Sequence, residues 1–135
     1  MIFPRFSLGV TGLLFVGLGL AFLFDPHRMA DVIGMRTDRP RDVIEVRAMY
    51  GGFELGLGIF FLIAIGRTRW IRAALAAQTL GFLGLAGGRL VGMMFDGSDR
   101  LMLGFLAIEL TGALMGAVAF RQALMAFKAS RNAPY

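Results

Sequence analysis

An all-α, four-helix transmembrane bundle is the fold class this sequence predicts, and three observations carry it. The 135 residues are 57% hydrophobic and only 17% charged, with a mean hydropathy of +0.70, which points away from an ordinary soluble domain. Four apolar runs, approximately 6–24, 48–66, 71–95 and 101–120, are each near the 20 or so helical residues that cross a hydrocarbon core of roughly 30 Å. None alternates in ten-residue segments as a barrel strand would, and helices satisfy every backbone group internally. One transmembrane domain, 1–135, is expected, arranged as two repeated helical hairpins with a short interfacial helix after the first span.

The first span, "FSLGVTGLLFVGLGLAFLF", carries no charge. A soluble bundle would need a polar face there. A cleaved signal peptide is the other alternative, but the run is too long and no Ala-x-Ala precedes Asp25. The second span carries only Glu54, the third carries Arg72 at its edge and Arg89 inside, and the fourth carries Glu109.

Between the first two spans lies the one sizeable loop, "DPHRMADVIGMRTDRPRDVIEVR". Its Pro26–Met35 part places Met29, Val32 and Ile33 on one helical side, as an interfacial helix would. Pro40 then interrupts, and "RDVIEVR" leads into the second span as an amphipathic turn.

Charge predicts orientation. Arg5, Arg67, Arg69, Arg72, Arg121, Lys128 and Arg131 fall on one side with no acidic residue. The other side holds Arg28, Arg36, Arg39, Arg41, Arg47 and Arg100, interspersed with Asp25, Asp31, Asp38, Asp42, Glu45, Asp96 and Asp99. Counting Lys and Arg near membrane ends favours a multi-pass protein of the inner membrane with both termini cytoplasmic. Lipid phosphates are the expected counter-ions, and nucleic acid is not expected, because the formal charge of +5 is spread through short loops.

A weak internal repeat pairs "LFDPHRM" with "MFDGSDRLM" and "GFELGLGIFFLIAIGR" with "AIELTGALMGAVAFR", aligning Asp25 with Asp96 and Glu54 with Glu109. It suggests an architecture of two hairpins, not an activity.

At a rise of about 1.5 Å per residue, Glu54, Arg89 and Glu109 each lie on the order of 10 to 14 Å below the same surface. Arg47, Tyr50 and Glu54 share one helical face at i, i+3 and i+7. A charge near mid-membrane costs at least about 2.5 to 3.5 kcal/mol and usually faces the interior. A buried polar cluster of Arg47, Tyr50, Glu54, Arg89 and Glu109 is therefore expected. Gly51, Gly52 and Gly56, then Gly84, Gly88 and Gly92, then Gly112 and Gly116, surround these charges as helix-packing glycines.

On these residues the chain resembles a family of small bacterial four-helix integral membrane proteins grouped as a domain of unknown function. Its most recognisable stretch looks like "RAMYGGFELGLG", and the resemblance continues through "GGRLVGMMFDG" into the fourth span. It implies that Arg47, Tyr50, Gly51, Gly52, Glu54, Gly88 and Arg89 match motif positions. It implies no settled activity.

Two functional readings stand beside each other. In one, the cluster lines a pocket that binds or transports a small amphipathic or lipid-like ligand, with Arg47 or Arg89 meeting an anionic head and Glu54 or Glu109 completing the polar wall. In the other, the cluster is structural glue in a homo-oligomer or a larger membrane complex. An enzyme is the poorer reading. Cysteine is absent, His27 is the single histidine and lies in the loop, and no nucleophile, metal set or phosphate loop accompanies the glutamates. No cofactor and no metal are expected, and the methionines and phenylalanines read as packing or lipid-facing residues.

Overall fold

The computed structural model describes residues 1–131, and every regular element among them is helical. Helix α1 spans Ile2–Phe24, α2 Pro26–Val32 and α3 Pro40–Val46. A π-helical stretch, Arg47–Phe53, leads into α4, Glu54–Ile65. Helices α5, Thr68–Asp96, and α6, Arg100–Arg131, complete the chain.

Four stretches are long and apolar enough to cross a membrane: Ile2–Phe24, Pro40–Ile65, Thr68–Asp96 and Arg100–Ala129. Their large apolar side chains are widely exposed, among them Leu13, Leu80 and Leu114 at 66%, 68% and 66%. In water such a surface would be an aggregation liability, whereas lipid tails would solvate it.

Several helical boundaries have a local cause. Pro26 and Pro40 occupy first-turn positions, where a missing N–H costs nothing. Helix α2 ends in a Schellman motif: Met35 N–H donates to Ala30 O at 2.9 Å and Gly34 N–H to Asp31 O at 3.1 Å. Gly34 sits at φ +76°, a conformation that strains residues with a Cβ. At the start of α3, Asp42 accepts from the Arg39 backbone N–H at 3.2 Å and from its guanidinium at 3.0 Å. Asp99 caps α6 by accepting from Met102 N–H at 2.8 Å.

Pro40 therefore starts a helix that runs on through the π stretch into α4, and does not merely interrupt the loop. The short helix expected after the first span is present as α2, but its packing side differs from the expected one. Met29, Ile33 and Met35 lie against a small core of Phe22, Ala30 and Val46, whereas Val32 points outward at 60% exposure.

The chain divides into two compact units, each containing a helical hairpin. In the unit formed by Gly9–Ile63, α1 and α4 meet backbone to backbone. A methyl group at Gly19 would stand 2.6 Å from the Leu55 nitrogen, and one at Gly58 would stand 2.7 Å from the Val16 nitrogen. Gly12 and Gly51 are similarly closed by Leu62 and Leu23. Small residues remove the side-chain layer that normally separates two helices, so dispersion contacts form between the backbones.

The other unit joins Met1–Leu8 to residues 64 onward, and α5 packs along α6. Gly112 is closed by the Phe82 ring, and Gly116 by Thr79 and Gln78.

Candidate functional site

The α5–α6 hairpin brings Arg89 and Glu109 together. Arg89 Nε lies 3.0 and 2.9 Å from Glu109 Oε1 and Oε2, and Nη2 donates to Oε1 as well. Glu109 is buried at 6% exposure, while Arg89 is half-buried. The guanidinium also donates to Met102 Sδ at 3.2 Å and lies 5.0 Å from the Phe105 ring centroid. Met102, Phe105 and Glu109 follow one another at i, i+3 and i+7, so one stripe of α6 embraces a single arginine.

Further along the same hairpin is a second polar group. Gln78 Nε2 donates to Ser7 Oγ at 3.0 Å and to Gly112 O at 3.3 Å, and Ser7 Oγ is also 3.2 Å from Gln78 Oε1. Ser7 and Gln78 are 0% and 1% exposed. Their amide and hydroxyl satisfy each other where water is excluded.

Arg47, Tyr50 and Glu54 belong to the other unit, and the structure gives them three different environments. Arg47 is exposed. Tyr50 stacks 5.2 Å from Phe22 at the edge of the small core. Glu54 is half-buried, and its Oε2 is fully shielded without a hydrogen-bond partner among the described residues.

The π-helical stretch explains the divergence. Its i→i+5 pattern widens the turn, so residues at i, i+3 and i+7 no longer share one face across Arg47–Phe53. Nothing in the sequence marks this stretch except its paired glycines, Gly51 and Gly52.

The glycines also separate into two groups. Gly51, Gly112 and Gly116 touch neighbouring elements, whereas Gly56, Gly84, Gly88 and Gly92 face open space and Gly52 has only its own helix's Arg47 carbonyl at 3.7 Å. Gly12, Gly19 and Gly58, the tightest contacts of the first hairpin, escaped sequence reasoning because no charge drew attention to them. Ser7, Met102 and Phe105 escaped it too. The i, i+3, i+7 relation of Met102 and Phe105 to Glu109 was the available signal.

Among the described residues no group of three or more His, Asp or Glu side chains is placed to hold a metal ion. No curated protein and no solved structure matches the chain. Residues 3–120 match the family described as Domain of unknown function (DUF4345), and the protein belongs to that family.

Proposed function

We propose that the protein is a multi-pass inner-membrane protein, both termini cytoplasmic, that binds or transports a small amphipathic or lipid-like molecule whose polar head is received at Glu54. One observation carries this reading: Glu54 Oε2 is shielded and unpartnered, whereas Glu109 is engaged by Arg89. A buried acceptor left without a donor costs about 1–3 kcal/mol, so a head bearing an amine, hydroxyl or amide N–H would gain by supplying one.

The surroundings support an apolar body for such a molecule. Gly56, on the next turn, faces open space, and Phe53 is 62% exposed. A carboxylate oxygen accepts, so it favours a head carrying a donor over an anionic one.

Native mass spectrometry with lipidomics tests the reading on wild type, Glu54→Gln and Glu54→Leu. A specific molecule retained by the wild type and lost from Glu54→Leu is the expected result. Equal retention by Glu54→Leu would overturn it.

A second reading is a subunit of a homo-oligomer or larger membrane complex. It is favoured by Gly81, Gly84, Gly87, Gly88 and Gly92 of α5, none of which has a neighbour within contact distance. Bulky substitution at Gly84 and Gly88 would then change the assembly's mass in detergent without unfolding the chain.

A further inference from the structure

One end of the α5–α6 unit carries positive charge with no Asp or Glu among the described residues to answer it. Arg67 and Arg69 open α5, Arg72 follows a turn later, and Arg121 and Lys128 lie in the last third of α6. The contact of the Arg72 guanidinium with the Phe127 ring, 3.9 Å from its centroid, joins the two sets at one end of the hairpin. Ser7, held by Gln78, brings the start of α1 and its Arg5 into the same unit.

No Asp or Glu occurs between Glu54 and Asp96, or from Leu110 to Arg131. Glu109, the nearest acid along α6, lies twelve residues before Arg121, roughly 18 Å along the helix, and it is engaged by Arg89. Of Arg67, Arg69, Arg72, Arg121 and Lys128, all but the half-buried Arg72 are exposed.

Like charges gathered this way repel one another unless an external anion compensates them. The neighbouring surface says which anion. Trp70, with the Arg67 guanidinium 4.8 Å from its ring centroid, is 40% exposed, and so is Phe127. An amphipathic indole beside cations at the end of apolar helices is the arrangement that sits at headgroup level.

We propose that this basic end, Arg67, Arg69, Arg72, Arg121 and Lys128, is a docking surface for the anionic headgroups of phospholipids in the leaflet it meets. Arg72 and Arg67, lying against rings, supply the held part of the surface. Arg69, Arg121 and Lys128 supply the mobile part that reaches phosphate oxygens. The loop between the first two apolar stretches, where arginines alternate with Asp25, Asp31, Asp38 and Asp42, neutralises itself and draws no such lipid.

The test uses the full chain in nanodiscs of phosphatidylcholine containing a minor fraction of phosphatidylglycerol, with retained lipids counted by native mass spectrometry. Wild type should retain phosphatidylglycerol well above its bulk fraction, and the excess should fall as salt is raised. Arg69→Gln with Arg121→Gln should weaken this preference by about fivefold per charge. Arg69→Lys with Arg121→Lys should keep it, and so should Arg28→Gln with Arg36→Gln in the mixed-charge loop, each variant being checked for unchanged helical content. Retention at the bulk fraction would overturn the proposal, as would equal loss in the Arg28→Gln with Arg36→Gln variant. Effective competition by millimolar inorganic phosphate would also overturn it, by making the site one for soluble anions.

Discussion

Arg89 and Glu109, twenty residues apart in the chain, form a multiply bonded ion pair across the α5–α6 contact, with both carboxylate oxygens engaged by one guanidinium. The pair sits among Met102, Phe105 and the apolar stripe of α6, where a single unpaired charge would be poorly solvated.

Removing one partner should therefore cost more than removing both. Arg89→Met is expected to destabilise by about 3 kcal/mol or more, and Arg89→Met with Glu109→Leu to recover most of that loss. Arg89→Lys should fall between, since an ammonium cannot reproduce the fork. Reversible unfolding in mixed micelles measures all three. A double variant no more stable than Arg89→Met would contradict this account of the pair.

The α1–α4 contact makes a sharper distinction among glycines. Gly19→Ala and Gly58→Ala place a methyl 2.6 and 2.7 Å from backbone atoms, which cannot rotate away. Each should cost about 1–3 kcal/mol. Gly17→Ala meets nothing within 4 Å in the same helix, and should be neutral or stabilising by up to about 1 kcal/mol. Melting temperatures of the three variants decide the matter.

Glu54 should behave as a functional residue held at the expense of stability. Glu54→Leu removes the shielded, unpartnered oxygen, so its unfolding free energy should equal or exceed that of wild type while the co-purifying molecule is lost. A marked fall in stability would mean instead that Glu54 has a packing role.

Ser7 and Gln78 offer a double-mutant cycle. Ser7→Ala, Gln78→Leu and their combination should show a coupling of about 0.5–1.5 kcal/mol, the range found for hydrogen bonds between membrane helices. Zero coupling would show that the contact does not hold the start of α1 to α5.

The four stretches long and apolar enough to cross a membrane were legible from composition because lipid would impose a simple rule, namely that a helix surface facing it must be apolar along its whole length. The same rule made the exceptions conspicuous. Arg89 and Glu109 could be counted to one depth, and the bond between them follows from the cost of leaving either alone. Spacing along a chain assigns a residue to a face, however, and does not say what covers that face. Gly19 and Gly56 look alike in sequence, yet one closes on a neighbouring backbone and the other stands open. Likewise, Arg47, Tyr50 and Glu54 follow helical spacing, but the π stretch turns them toward three environments. Burial of charge is settled by the solvent each helix must enter, and so is written locally. Helix contacts and turn width are settled by the fit between segments distant in the chain, and exist only once the chain has folded.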